Sequence, residues 1–265
     1  MHNFKFHRPK TVDEAAGLLA AGDDNKKVLG GGQSYLPILK EGLSAPTDLV
    51  SLRGVDSLQG IREEGDRLII GAGQTHDSVH RSDVVNRVIP ALAGLAGGIG
   101  DAQVRNRGTI GGSLAHADPA ADYPSAILAL DAVIHTNLRK IPGPQFFTGL
   151  FTTALGTNEI ITEVSFRVPQ RANYQKFPHP ASKYAVVGVF VAQFADGARV
   201  GVTGATEKAM PWPAAQQALT ANWAPDAVAS LSVPATYLNS DPDFSADYRA
   251  HLMAVLAKRA VAAAA

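Results

Sequence analysis

The chain contains no cysteine among its 265 residues. It therefore has no disulfide framework, no thiol nucleophile and no thiolate ligands for an iron–sulfur cluster, so any such cluster must belong to a partner. It also lacks any run of about 18 apolar residues, and its N-terminus has no apolar segment of the kind that directs secretion. The sequence predicts no membrane span, and we expect a cytoplasmic location.

The chain also lacks an excess of charge of either sign. Lys and Arg together number 24, the same as Asp and Glu together. This balance gives no support for nucleic-acid or membrane-surface binding. With 46% hydrophobic and 18% charged residues, the chain is long enough to bury a sizeable core and to form two or three small domains.

A first glycine cluster, Gly30–Gly32, follows a predicted strand at Lys27–Leu29. A helix is predicted to begin just after it, with Ser34 as its N-cap and Pro37 tolerated in the first turn. Strand, glycine turn and helix N-terminus together favour an anion site, while the alternative is a tight turn that only needs positive φ. The cluster matches neither GxxxxGK[ST] nor a correctly placed GxGxxG, so we do not expect a P-loop NTPase.

A second cluster, Gly111-Gly112, lies in the run QVRNRGTIGGSLAHADPAAD, which combines cations, an amide and hydroxyls. A helix is predicted from Tyr123 to Leu130. Asp122 is then either its N-cap, with Pro124 in the first turn, or a carboxylate that accepts hydrogen bonds from ligand hydroxyls, and one residue can do both. The two clusters are roughly 80 residues apart, and they predict two loops that close on one phosphate-bearing ligand.

The order of predicted elements indicates three units of an α+β protein. The first has a helix at 11–20 with Thr11 as N-cap, and the second has a helix near 84–95 and strands at 67–70, 132–136 and 164–168. A polar, proline-led linker is predicted at 169–173. The third has an antiparallel hairpin formed by 186–194 and 199–203, then helices at 213–220 and 245–260.

Other candidate chemistry is sparse. His76 and His80 have the i, i+4 spacing of two metal ligands on a helix, but no third ligand is near in sequence, and a solvated helix face is the favoured interpretation. Neither Ser34 nor Ser113 has the sequence context of a nucleophile elbow. We find no acid/base constellation for a self-contained enzyme and predict no catalytic residue and no metal site.

Four segments, in this order, resemble one family: GGGQSYLPILK, QVRNRGTIGGSLAHADPAADYPSAILALDA, FFTGLFTTALGTNEIITEV and KFPHPASKYAVVGVFVA. They are similar to the FAD-binding medium subunit of xanthine dehydrogenase and aerobic carbon monoxide dehydrogenase family molybdenum hydroxylases. The resemblance covers nearly the whole chain, and TIGGS followed nine residues later by Asp122 is its most specific part. It implies an FAD-binding fold of the vanillyl-alcohol-oxidase/PCMH type in two N-terminal subdomains, 1–55 and 56–168, and a C-terminal α+β domain, 174–265, with an antiparallel sheet.

The resemblance also implies roles for individual residues. The first loop wraps the FAD pyrophosphate and the TIGGS loop closes over it, while Asp122 contacts the hydroxylated or adenosine part and Tyr184 lies near the isoalloxazine. Ile161 packs near the adenine, and Lys176 contacts the cofactor. The full implied set is Leu29, Gly30, Gly31, Gly32, Gln33, Ser34, Tyr35, Leu36, Gly100, Gly108, Thr109, Gly111, Gly112, Ser113, Ala115, Asp122, Ile161, Lys176 and Tyr184. One departure is Lys183, where many relatives have an acidic residue.

The function implied by the resemblance is electron transfer. Non-covalently bound FAD accepts electrons from the [2Fe–2S] clusters of a small partner subunit and passes them to an external acceptor, while a large subunit with a molybdenum cofactor hydroxylates the substrate. A dimer of such heterotrimers is expected. Two alternatives stay open at this point: a flavoprotein scaffold or sensor, and a self-contained flavin oxidase.

Overall fold

The computed structural model describes residues 3–21 and 25–264, and its main sheets follow one another along the chain. The first sheet is parallel and has the order β1-β3-β2. Its elements are β1 (Lys5–His7), α1 (Val12–Ala20), β2 (Lys26–Leu29), α2 (Tyr35–Lys40) and β3 (Asp48–Ser51). The predicted first helix is confirmed: the Thr11 hydroxyl accepts a hydrogen bond from the Glu14 N–H, and the Glu14 carboxylate accepts one from Lys10 N.

The second sheet is antiparallel, with the order β4-β5-β10-β6-β7. Its region contains strands β4 (Ile61–Glu64), β5 (Arg67–Gly71), β6 (Val133–Thr136), β7 (Lys140–Pro142), β8 (Phe147–Gly149), β9 (Thr152–Thr153) and β10 (Ile161–Arg167), of which β8 and β9 pair separately. The helices are α3 (His76–Arg81), α4 (Asp83–Val88), α5 (Pro90–Gly97), α6 (Ala102–Arg105), α7 (Ile110–His116), α8 (Tyr123–Ala129) and α9 (Gly143–Phe146). The single helix predicted near 84–95 is wrong, because Pro90 has no N–H to continue α4 and instead begins α5.

The third sheet is antiparallel, with the order β11-β12-β13-β14. Its elements are β11 (Arg171–Pro178), β12 (Ala185–Phe194), β13 (Gly197–Thr203), β14 (Met210–Pro211), α10 (Pro213–Ala221) and α11 (Ala246–Ala263). The predicted hairpin is confirmed, with Gly197 supplying the positive φ of 123° that its tight turn requires. The predicted linker at 169–173 is wrong in its second half, since β11 begins at Arg171 and Ala172 is buried.

The third sheet packs directly on α8, and this contact positions the site. Side chains of β11 and β12, including Phe190 and Phe194, belong to the same hydrophobic cluster as the interior of the second sheet. At Gly201 on β13, a Cβ would lie 2.1 Å from the carbonyl oxygen of Ser125 on α8, so the two backbones touch. The start of α8, where Asp122 lies, is therefore held against β11. In the ranges given above, no helix is long and apolar enough to cross a bilayer.

Candidate functional site

The two glycine loops meet in the structure. A Cβ on Gly31 would lie 1.8 Å from the carbonyl oxygen of Arg107 and 2.7 Å from the Cα of Gly108. A Cβ on Gly30 would lie 3.0 Å from the Thr109 Oγ1 and 3.6 Å from the Cα of Gly112. Only glycine lets the backbones of two segments approach to this extent. The structure thus brings the two predicted loops together, and the phosphate-bearing ligand between them stays a prediction.

The first loop presents a row of free backbone donors. Gly32 has a φ of 81°, and its carbonyl accepts a hydrogen bond from Leu36 N at 3.0 Å, which closes the turn into α2. Among the residues that the structure describes, the N–H groups of residues 31–35 have no hydrogen-bond partner. Consecutive unpaired N–H groups at a glycine turn before a helix form a concave site for an anion.

Ser34 does not act as the predicted N-cap. Its backbone is helical, with φ of −97° and ψ of −45°, and its side chain makes no capping hydrogen bond. The hydroxyl instead lies close enough to the Tyr184 phenol to lower its pKa. The side chain that sequence reasoning assigned to the helix therefore connects the first loop to the segment that precedes β12.

The second loop is braced by the rest of its own unit. Thr109 is the N-cap of α7, and its Oγ1 accepts from Gly112 N at 3.1 Å. Ile110 N donates to Gln74 O, and Gly111 N donates to Ala72 O at 2.9 Å. The donors of the first turn of α7 are thus already used within the protein. This loop contributes a rigid wall against Gly31, whereas the free donors belong to the first loop.

Asp122 directs its carboxylate away from α8. The structure shows no side-chain capping by this residue, so the capping interpretation is wrong. Its Oδ1 accepts a hydrogen bond from the Tyr174 hydroxyl at 2.5 Å and lies 2.9 Å from the Lys176 ammonium. Burial raises the pKa of Asp122, and the contacts with Lys176 and Tyr174 act against that rise. A buried carboxylate with a cation beside it joins the second unit to β11.

Tyr184 lies close to both Asp122 and the first glycine loop. It is 40% exposed, and the preceding Lys183 has a left-handed backbone with φ of 65°. Burial of the hydroxyl and the nearby Asp118 raise the pKa of Tyr184, while the Ser34 side chain lowers it. The Tyr184 hydroxyl is therefore protonated at neutral pH. Its side chain lies beside Ser34 of the first glycine loop.

The remaining residues of the implied set are more dispersed. Gly100 has a φ of 48° after the end of α5, and Ala115 is exposed on α7. Gly108 packs on the imidazole of His76, where a Cβ would lie 2.6 Å from Nε2. Ile161 is only 5% exposed, belongs to the core cluster and pairs with Thr136 on β6. The structure brings Ser34 and Tyr184 together, and likewise Asp122 and Lys176, but it places Ile161 in the core of the second sheet.

Sequence reasoning missed Tyr174 and misjudged His76. Tyr174 precedes Lys176 by two residues, and alternate residues of a strand share a face, so the spacing was a usable signal. His76 is buried rather than on a solvated helix face, and burial lowers its pKa to about 4. In the described part of the chain, no three His, Asp or Glu side chains are grouped closely enough to hold a metal ion.

Comparison with known proteins identifies the family. The model of the FAD binding domain in molybdopterin dehydrogenase matches residues 2–170. The chain belongs to this family. It is 33% identical to the carbon monoxide dehydrogenase medium chain of Hydrogenophaga pseudoflava, over 98% of this chain and 96% of the relative. It is also 33% identical to the nicotine 6-hydroxylase medium subunit of Paenarthrobacter nicotinovorans, over 97% and 95% of the two chains.

Solved structures of related enzymes have the same architecture. A chain of reconstituted CO dehydrogenase from Oligotropha carboxidovorans superposes with a TM-score of 0.90 at 29% identity, covering 98% of this chain and 96% of that one. A chain of the Hydrogenophaga pseudoflava enzyme gives a TM-score of 0.87 at 32% identity, with 98% and 96% covered. The predicted α+β, FAD-binding fold is confirmed.

The residues present fit the FAD of this molybdopterin dehydrogenase family. A pyrophosphate needs several converging N–H donors and room for close approach, and residues 31–35 provide the free donors while Gly30 and Gly31 provide the room. Ribityl or ribose hydroxyls need an acceptor, and the Asp122 carboxylate is one. The chain is therefore an FAD-binding subunit of the oxidoreductase type, and its donor set agrees with that cofactor.

Proposed function

We propose that this chain is the FAD-bearing electron-transfer subunit of a molybdenum hydroxylase. The observation that carries the proposal is the meeting of the two glycine loops beside a row of unpaired N–H groups at residues 31–35. Its relatives are named as medium chains or subunits of several dehydrogenases and hydroxylases, among them a xanthine dehydrogenase FAD-binding subunit from Escherichia coli O157:H7. The substrates in these names differ, and the Escherichia coli subunit is named for FAD binding.

In this proposal each part of the site has a separate task. The N–H groups of Gly31 to Tyr35 bind phosphate oxygens, and Gly112 lets the second loop close over them. Asp122 accepts hydrogen bonds from cofactor hydroxyls, and Tyr184 limits the access of water to one side of the isoalloxazine ring of FAD. Bound FAD supplies a redox centre that accepts electrons and passes them on, while the protein sets its orientation and access. The remaining residues of the set implied by the sequence are retained in this proposal.

The partners follow from the family, whose members are named as medium chains and subunits of larger enzymes. We assign two [2Fe–2S] clusters to a small subunit and the molybdenum cofactor to a large one, and this chain has no cysteine that could hold such clusters. We propose a dimer of such heterotrimers. The three-part division at 1–55, 56–168 and 174–265 and the cytoplasmic location stay predictions of the same proposal.

Extraction of the cofactor tests the first step. The purified chain is precipitated with acid, and the flavin in supernatant and pellet is measured by absorbance and mass. We expect a flavin with the mass of FAD in the supernatant, because non-covalent binding ends when the fold is lost. Flavin that stays in the pellet would show a covalent link. A folded preparation that contains no flavin and takes none up from solution would overturn the proposal.

Assembly tests the second step. The chain is expressed together with a small iron–sulfur subunit and a large molybdenum subunit of this family, and the products are separated by size exclusion. We expect the three to elute as one complex with a mass of two copies of each. Elution of this chain alone, still loaded with FAD, would instead support the scaffold or sensor alternative.

A further inference from the structure

The Lys176 ammonium is fully occupied by acceptors of its own chain. Its Nζ lies 2.9 Å from Asp122 Oδ1, and it donates to the carbonyl oxygens of Gly98 at 2.9 Å and Lys183 at 3.2 Å. A protonated lysine has three N–H donors, and three acceptors are present. The side chain is only 10% exposed. A further hydrogen bond from this ammonium to a cofactor would require the loss of one of these contacts.

Each of these acceptors lies beside a different part of the FAD site. Asp122 is itself proposed to contact the cofactor. Gly98 precedes Gly100 by two residues at the end of α5, and Lys183 directly precedes Tyr184. Lys183 holds a left-handed conformation, which for a lysine must be maintained by its surroundings. The bond from Lys176 to the Lys183 carbonyl is one such constraint, and it sets the direction in which Tyr184 leaves the turn.

Tyr174 is a second support for the Asp122 carboxylate. It lies on the same face of β11 as Lys176, and its ring stacks on Phe190 with centroids 6.0 Å apart. Its hydroxyl donates to Asp122 Oδ1 at 2.5 Å. Burial, with the carboxylate nearby, raises the pKa of Tyr174 well above its ordinary value, so the hydroxyl remains a donor at neutral pH.

The room for this hydroxyl comes from Gly188. This residue lies opposite Lys176 in the pairing of β11 with β12. A Cβ at Gly188 would lie 2.3 Å from the Tyr174 hydroxyl oxygen and 2.9 Å from the Cγ2 of Thr203. Any side chain at this position must therefore displace the tyrosine from Asp122.

We propose that Tyr174, Lys176 and Gly188 are positioning residues of the FAD site. Tyr174 and Lys176 hold the Asp122 carboxylate and the Lys183–Tyr184 turn in the arrangement that receives the cofactor, and Gly188 leaves the space that this requires. Lys176 has this positioning role through Asp122 and the turn in addition to the cofactor contact that the proposed function retains for it. The inference rests on the proposed function, since it assumes that FAD binds beside Asp122.

FAD titration of the flavin-free protein tests this assignment, with binding followed by quenching of flavin fluorescence. Tyr174→Phe removes one hydrogen bond to a buried carboxylate, and we expect about a tenfold rise in Kd. Tyr123→Phe is the matched control, because the Tyr123 hydroxyl is equally buried but has no hydrogen-bond partner within residues 3–21 and 25–264. Its Kd should stay within about twofold of wild type, since a few tenths of a kcal/mol are at stake.

A second pair of variants tests the role of Gly188. Gly188→Ala should also weaken binding about tenfold, because the new methyl displaces the Tyr174 hydroxyl. The double variant with Tyr174→Phe has no hydroxyl to displace, so its Kd should equal that of Tyr174→Phe alone. Circular dichroism and urea midpoints establish which variants are folded. If Gly188→Ala does not fold, the comparison of Tyr174→Phe with Tyr123→Phe decides.

Wild-type affinity in Tyr174→Phe would overturn the inference, as would losses that multiply in the double variant. Lys176→Met adds an independent readout: the visible spectrum of bound flavin should shift, because the turn that carries Tyr184 is released. An unchanged spectrum would contradict this part of the inference. Failure of the wild-type protein itself to bind FAD would overturn the proposed function, a result distinct from either of these.

Discussion

Gly31→Ala should remove high-affinity FAD binding although it adds a single methyl group. The new carbon would lie 1.8 Å from the Arg107 carbonyl oxygen, 2.5 Å from its carbonyl carbon and 2.7 Å from the Gly108 Cα. All of these are backbone atoms and cannot rotate away. Since non-bonded heavy atoms need well over 3 Å, the two loops must separate by more than about 1 Å.

The size of the effect follows from what that separation breaks. If two hydrogen bonds from the first loop to phosphate oxygens are lost, at roughly 1.5 kcal/mol each, binding weakens by about 3 kcal/mol, or about two decades in Kd. Gly17→Ala is the matched control. Gly17 lies within α1, where a Cβ would meet nothing within 4 Å, and alanine is favoured there by up to about 1 kcal/mol.

The assay combines FAD titration with urea unfolding of the flavin-free protein. We expect Gly31→Ala to fold and to bind FAD about two decades more weakly, and Gly17→Ala to bind like wild type with an unchanged or higher urea midpoint. A Gly31→Ala protein with wild-type affinity would refute the reasoning, because it would show that the close contact of the loops is not needed for the cofactor.

Variants at three further residues test individual groups through the free energy of unfolding. Asp122→Asn and Asp122→Ser should each lower it by about 3 kcal/mol, because Lys176 is left buried without a counter-charge; equal stability of all three proteins in urea would contradict this. Burial lowers the His76 pKa to about 4 from its ordinary 6.5, so the unfolded chain binds the extra proton between these values and stability falls as pH falls from 6.5 to 4. His76→Gln should flatten urea-measured stability over that range, and an unchanged slope would rule the histidine out. The hydrogen bond from Arg139 lowers the Glu159 pKa to about 2 from 4.5, so its contribution is present above pH 4.5 and lost toward pH 2. Glu159→Gln should remove that part of the acid transition, and an unaltered acid midpoint would count against it.

Local patterns predicted the elements whose determinants are close together in sequence. The capped helix after Thr11 and the hairpin turning at Gly197 were predicted because cap, turn residue and periodicity lie within a few positions. The break at Pro90 was also signalled locally, and the prediction of one helix gave the apolar periodicity too much weight. The start of the strand at Arg171 was hidden by its polar composition, since Ala172 is the only buried residue among 171–173.

The sequence predicted the two loops of the site, but not the side chains that Asp122 and Ser34 contact. The glycine clusters indicated two close backbones, and the structure places them in contact. The hydrogen bond of Asp122 with Tyr174 spans 52 residues, and Ser34 lies near Tyr184, which is far from it in the chain. In both cases a local capping pattern competed with a long-range side-chain partner that no short segment reveals. The packing of α8 on the third sheet decides the outcome for Asp122.

Rapid mixing without oxygen tests the central claim that this chain transfers electrons but does not oxidise a substrate itself. FAD-loaded protein is mixed with an aldehyde or an N-heterocycle, alone and after reconstitution with the small and large subunits, and the flavin absorbance is followed. We expect dithionite to bleach the flavin in both samples, and the substrate of the complex to bleach it only in the reconstituted one. Bleaching of the isolated chain by an organic substrate at a catalytically useful rate would contradict the account.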